Sequence, residues 1–316
     1  MHLQFNGFTL GLDSPGADIS FLSHAHKDHS AGMSRQKKII ASEETLALAG
    51  LESRALRPED WNNIVAENGN ARHVRCTEHV RPETLNWKLL DAGHMLGSRQ
   101  ILINEDGRTT VYTGDISTRE NIFGHKAEIP RCDRLIMEAT YGSDPIYKFP
   151  DHEEVYSEIS SFIKSHDDCN ILFGCYEIGK AQEMVKILNE RCGIAPVVNE
   201  TTEKNCSIYE RFNVKLDRLV IGSDEAEEVM NKRFIAIVPM RHAKRYFAKK
   251  LSDAFGKKTL CASVSGWALT QRYDTDAAFP LSDHADFHEL REYIIQSGAK
   301  EIEFFCGDGR ALLKSL

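Results

Sequence analysis

Apolar residues first recur in short β-prone runs at 8–12 and 19–22, separated by the turn-forming Asp13-Ser14-Pro15-Gly16, which predicts two strands and a turn. A short helix follows over 45–51. Three further strands are predicted at 87–91, 100–103 and 109–113, with Asn104-Glu105-Asp106-Gly107 as the hairpin turn between the last two. The run 134–138 reads as a strand that ends on a carboxylate. After Tyr141-Gly142-Ser143-Asp144-Pro145 the rhythm changes: helical apolar spacing at 153–165 and 179–191 flanks a strand at 170–173, the alternation of a parallel α/β layer. Strands at 219–222, 234–239 and 259–263 follow, and a helix at 286–296 and a strand at 301–305 close the chain. There is no internal repeat and no low-complexity segment. The expected organisation is a β-rich domain over 1–142, an α/β insertion over 143–260, and a return to the first domain over 261–316.

Composition narrows the classes. The 316 residues exceed one domain of about 150 residues, and 41% hydrophobic with 27% charged residues is ordinary globular usage. No run approaches the ~18 apolar residues of a membrane span, and the first residues have no basic and then apolar leader, so no membrane is expected and the location read is cytoplasmic. The cysteines at 76, 132, 169, 175, 192, 206, 261 and 306 form no C-x-x-C pair, which excludes a zinc ribbon and a stapled secreted scaffold. Reduced, mostly buried thiols are expected. A net charge of −8 gives no whole-molecule basic footprint, so a nucleic-acid partner must be met by a local patch or by metal ions.

The densest chemistry lies in Ser23-His24-Ala25-His26-Lys27-Asp28-His29, directly after an apolar strand. Residues two apart point to the same side of an extended chain, so His24 and His26 can reach one ion, while Asp28 and His29 can address a second. The alternative is a surface loop that happens to be rich in histidine. Downstream, Asp91-Ala92-Gly93-His94 and Tyr112-Thr113-Gly114-Asp115 each place a ligand type beyond a strand and beside a glycine that permits a sharp turn. Singly, His94 and Asp115 are a core histidine or a capping aspartate. Together with the first cluster they form a ligand set.

His24-x-His26-x-Asp28-His29, His94 and Asp115 resemble the ligand motifs of the metallo-β-lactamase superfamily. Met137-Glu138-Ala139-Thr140-Tyr141-Gly142, Gly179-Lys180-Ala181-Gln182-Glu183-Met184 and Leu281-Ser282-Asp283-His284-Ala285-Asp286 resemble the E-S-T-Y-G, G-x-A-Q-E-L and S-x-H-x-D strings of its β-CASP nuclease branch. The resemblance implies an α/β (α+β) fold, an αββα metallo-β-lactamase sandwich with an inserted α/β β-CASP domain. It implies two Zn2+ ions, with Mn2+ as the alternative: His24, His26 and His94 on one, Asp28 and His29 on the second, Asp115 bridging both, and Asp13 as a structural aspartate.

Glu138 and His284 make chemical sense as an oriented acid, because a carboxylate beside an imidazole favours the protonated ring, which can donate to a departing oxygen. Their structural alternatives are a buried ion pair and a helix cap. Phosphodiester hydrolysis also needs a nucleophile and counter-charge, which two metals about 3.5–4 Å apart supply by holding a hydroxide and gripping the phosphoryl group; Asp28 belongs to that catalytic set. RNA-processing members carry a histidine after the last strand, where this chain has Phe304-Phe305-Cys306-Gly307-Asp308. Cys306 aligns there, so the second metal takes a thiolate, takes Asp308, or is held more weakly, unless Cys306 is an inert buried thiol.

The missing histidine is shared with the DNA-processing group of Artemis and Apollo and favours DNA over RNA. Ser263-Val264-Ser265-Gly266-Trp267, with Gln271-Arg272, resembles a segment of ligase-associated DNA exonucleases. Ser263, Ser265 and Gly266 suit a terminal phosphate, and Trp267 is a core residue or a stacking platform. Arg241, Lys244 and Arg272 are candidate phosphate contacts, the first two in a basic run that is otherwise a solvated helix face. The expected function is a metal-dependent phosphodiesterase, a DNA exonuclease acting 5′ to 3′, with His284 as general acid. The alternatives are an RNA nuclease of the same fold, either a 3′-end processing endonuclease or an RNase J-like exonuclease, and a non-catalytic nucleic-acid-binding subunit. A small-ester hydrolase is disfavoured by the size of the insertion.

Overall fold

The computed structural model describes residues 1–5, 8–56 and 86–316. The chain divides into two compact units: Met1–Glu120 with His125–Lys148 and His284–Leu316, and Asn121–Gly124 with Phe149–Asp283.

In the first unit, β1 (His2–Phe5), β2 (Phe8–Leu12), β3 (Ile19–Phe21) and β4 (Ile39–Ile40) form one sheet in that order. A second sheet joins β5 (Asn86–Asp91), β6 (Arg99–Glu105), β7 (Arg108–Tyr112), β8 (Arg134–Ala139) and the last strand of the chain, β15 (Glu301–Gly307), in the order β15-β8-β7-β6-β5. The β6–β7 hairpin turns on Asp106 and Gly107, both at positive φ, as the Asp-Gly pair demands.

Alternation along the strands sets the layers. On β8, Leu135 and Met137 pack with Leu290, Tyr293 and Ile294 of the helix Phe287–Ser297. Ile136 points the other way and meets Phe21, Ile101 and Tyr112 between the two sheets. Outside β1–β4, Leu46 of the helix Glu43–Ala49 packs with Leu22, Met33, Ile39 and Leu51. The order is helix, sheet, sheet, helix, an αββα sandwich. Because Glu138 lies two residues beyond Ile136, it shares the face turned towards the other sheet.

The second unit is built on a wholly parallel sheet of β9 (Asn170–Cys175), β10 (Val197–Val198), β11 (Leu219–Val220), β12 (Ile235–Pro239), β13 (Thr259–Val264) and β14 (Ala277–Phe279), in the order β11-β10-β12-β9-β13-β14. Sequence analysis returned the chain to the first domain at 261, whereas β13 and β14 belong to this sheet and the first unit resumes at His284. The run 259–263 has the same apolar character in either place. Only its pairing with β9 assigns it.

The described cysteines are free thiols, buried at 132, 169, 175, 206 and 261, half-buried at 192 and exposed at 306; Cys76 lies outside the described residues. Among the described residues no helix is long and apolar enough to cross a membrane.

Candidate metal centre

Asp13, the residue after β2, organises the first ligand loop from a backbone at φ 43°. Its Oδ1 accepts from the Ser23 amide (2.7 Å), and its Oδ2 accepts from the Ser23 hydroxyl (2.5 Å), the Tyr112 hydroxyl (2.9 Å) and His29 Nδ1 (2.6 Å). Four bonds to one carboxylate hold the chain where β3 ends and the histidines begin. They also offset the cost of a non-glycine residue at positive φ.

Two glycines set the other ligands. Gly93, at φ 69°, precedes His94, and a Cβ there would lie 2.3 Å from the Ser117 carbonyl oxygen. Gly114, at φ 56°, precedes Asp115, and a Cβ there would lie 2.4 Å from Ser23 Cβ. Either methyl group would push apart the loops that carry the ligands.

His24 Nε2 and His94 Nε2 stand 3.1 and 3.2 Å from His26 Nδ1, and 3.4 and 3.8 Å from Asp115 Oδ2. These four donor atoms all lie within 4.8 Å of one another. His29 Nε2 approaches the same carboxylate oxygen at 3.4 Å and Asp28 Oδ2 at 3.9 Å, with the Asp28 side chain 80% exposed. Behind them, both oxygens of the fully buried Glu138 lie 3.0 Å from His284 Nδ1, and His284 Nε2 is 4.0 Å from Asp115 Oδ2. The structure thus brings His24, His26, His94, Asp115, Glu138 and His284 together, with His29 and Asp28 at one side.

Burial drives His24 well below its ordinary pKa, against the pull of Asp115. Burial opposes ionisation of Asp115, but His24, His284 and His29 hold its carboxyl well below the carboxylate range. His29 is driven the other way: burial would lower it, yet hydrogen bonds and charge from Asp115 and Asp13 raise it to about 11. Asp115 Oδ1 is buried and, among the described residues, has no hydrogen-bond partner. An orphaned carboxylate oxygen beside three converging imidazoles fits a divalent cation, the one species that accepts all of those lone pairs at once.

Cys306 pairs with Glu138 across the β15–β8 ladder, after a bulge between Phe304 and Cys306. Desolvation, with Asp115 and Glu138 nearby, pushes its thiol up, while the Thr140 side chain acts the other way. Phe305 packs its ring 4.7 Å from that of Tyr112 and edge-on to His29. Asp308 is taken by Arg310 at 2.6 Å, which holds it at about 2. Sequence reasoning overlooked Ser23, Tyr112 and Thr140, although Thr140 lay inside a string already singled out for Glu138.

No family model matches the chain. It is 30% identical over 285 residues to a "Probable DNA ligase" of Opitutus terrae, covering 87% of this chain and 25% of that one. It is 25% identical over 286 residues to the "5′ exonuclease Apollo" of Gallus gallus (88% and 56%), and 28% identical over 197 residues to an "RNase J-like protein" of Methanocaldococcus jannaschii (56% and 45%). The chain belongs to the β-CASP branch of the metallo-β-lactamase superfamily. It spans about a quarter to just over half the length of these relatives. A solved protein of unknown function from Enterococcus faecalis shares the fold at TM-score 0.54 and 13% identity, over 90% of this chain and 74% of that one.

In this β-CASP protein the remaining singled-out residues lie on the second unit, where Arg241 follows the end of β12 at Pro239 and Ser265 and Gly266 follow the end of β13 at Val264. Open parallel sheets receive ligands at the carboxyl ends of their strands. Ser263 is buried on β13, and among the described residues its hydroxyl has no hydrogen-bond partner. Ser265 caps the turn Gly266–Leu269 through the Trp267 amide. Trp267 is half-buried, and Lys244 and Arg272 are exposed. Arg241 is 67% exposed and lies 3.6 Å from a Glu177 carboxylate oxygen.

Proposed function

We propose that this chain is a metal-dependent phosphodiesterase that degrades DNA from a 5′ end. The observation that carries the reading is the convergence of His24, His26, His94 and Asp115 on one point, with a Glu138-backed His284 beside it. Three imidazoles and a carboxylate are a donor set suited to Zn2+, with Mn2+ as the alternative; Asp28, His29 and Asp115 would hold a second ion, and Cys306 is the residue to complete it. When bound, such ions lower the pKa of water and neutralise charge building on a phosphoryl group. Glu138, acceptor-only as a carboxylate, keeps a proton on His284 Nδ1. The imidazolium's Nε2 proton is then the one available to the departing oxygen. Ser263, Ser265, Gly266, Arg241, Lys244 and Arg272 would take backbone phosphates.

Two observations support DNA. The relatives named "Probable DNA ligase" and "5′ exonuclease Apollo" match 87–88% of this chain, while the RNase J-like protein matches 56%, and no histidine stands at 306. The RNase J-like match favours an RNA nuclease as the second reading. Digestion of end-labelled DNA and RNA of one sequence by the purified, metal-loaded protein tests the choice, and equal or greater RNA turnover overturns it. Nucleic-acid binding without cleavage, unchanged in His26→Ala, would leave only the scaffold reading.

A further inference from the structure

We infer that Thr140 is a positioning residue for the general acid: its hydroxyl fixes the Glu138 carboxylate so that the His284 ring is held where it can reach the leaving oxygen. The inference rests on the reading of His284 as that acid.

Glu138 is wholly buried and receives three donors. The Ile116 amide reaches Oε1 at 2.7 Å, the Thr140 hydroxyl reaches Oε2 at 2.5 Å, and His284 Nδ1 lies 3.0 Å from both oxygens. Two of the three are fixed from outside the imidazole, one on each oxygen, so the carboxylate cannot turn about its own axis. Thr140 comes two residues after Glu138, where alternation puts both side chains on one face of the strand end. A turn closed by the Gly142 amide on the Ala139 carbonyl (3.0 Å) ends the strand there.

The hydroxyl has one proton and two lone pairs. Its proton goes to Glu138, so the hydroxyl ties that carboxylate, and through it the imidazole, to the end of the strand. The imidazole is braced on its other sides too. Tyr141 meets it edge-on at 6.0 Å and the His94 ring lies 4.6 Å away.

With Thr140 removed, Oε2 keeps only the imidazole, the carboxylate is free to turn, and the ring it holds is aimed less firmly at the departing oxygen.

The test uses two substrates on the metal-loaded protein. A DNA oligonucleotide expels an alkoxide that needs a proton, whereas thymidine 5′-(p-nitrophenyl phosphate) expels nitrophenolate, which does not. Thr140→Val, of equal shape, is expected to lower kcat on DNA by about 10–100-fold, a part of the usual acid contribution, with KM and metal content little changed and less than about threefold lost on the nitrophenyl ester. Thr140→Ser restores the hydroxyl and should recover most of kcat. Equal losses on both substrates, or none on DNA, overturn the inference. Thr140→Ala serves in the same comparison if the valine variant does not fold. His284→Ala separates the two readings: if it too loses equally on both substrates, the acid reading falls and this inference with it. If it discriminates and the Thr140 variants do not, only the role of Thr140 falls.

Discussion

Among the described residues Asp13 hydrogen-bonds one candidate ligand, His29 through Nδ1, and also the Ser23 amide and hydroxyl and the Tyr112 hydroxyl. Removing an outer partner of this kind typically costs 10–100-fold in metal affinity. Asp13→Ala is therefore expected to weaken the metal by about that factor, read by competition with a chromophoric chelator; unchanged affinity would refute it. The pair Asp91–His125, at 2.9 Å, makes a pH prediction. A hydrogen bond donated to Asp91 raises His125 against burial, while burial opposes, and His125 and the Gly93 amide achieve, a lowering of Asp91. The imidazolium's contribution to stability is then fully present below 6.5 and is lost as pH rises through its raised pKa; that of the carboxylate is present above 3.8 and is lost as pH falls through its lowered one. Both groups are partly exposed and screened, so His125→Gln should lower Tm by only about 1–2 °C between those limits and by nothing at alkaline pH. A difference that grew with pH would have the wrong sign.

At the scale of elements, the helix Phe287–Ser297 begins three residues after the candidate acid. Asp286 caps it, accepting from the His288 and Glu289 amides at 2.9 and 3.0 Å, while the Glu289 carboxylate accepts from the Asp286 amide. Asp286→Ala is expected to cost about 1 kcal/mol, seen as a lower denaturation midpoint, with Asp286→Asn close to wild type. This helix was legible in the sequence because its apolar spacing and its Asp-x-x-Glu start agree. The helices Glu200–Arg211, Asp224–Met230 and Arg245–Phe255 were not. In the first two the charged residues outnumber the apolar ones, and Arg245–Phe255 packs Phe247, Ala248, Leu251 and Phe255 into the core of the sheet. The two-residue strands β4 and β10 were equally silent, being too short to show any period.

For the whole molecule, a cation held by His24, His26, His94 and Asp115 joins three separate loops of the first unit. Ligand bound only to the folded state stabilises it by about 2.7 kcal/mol at a hundred times Kd. For a unit of this size that corresponds to about 5–10 °C in Tm. Melting with and without a chelator measures it, and superimposable curves would count against a resident metal.

Local order along the chain was enough to show which side chains could bind a cation, since H-x-H-x-D-H crowds donors within one turn and strand alternation fixes which of them share a side. It also showed the change from β-rich to α/β rhythm. Sheet order, the strand on which the second unit ends, the bulge that sets Cys306 opposite Glu138, and the pinning of the first loop by Asp13 and Tyr112 came only with the folded chain. Those depend on contacts between residues tens to hundreds of positions apart, and no window of sequence records the free energy of such pairings.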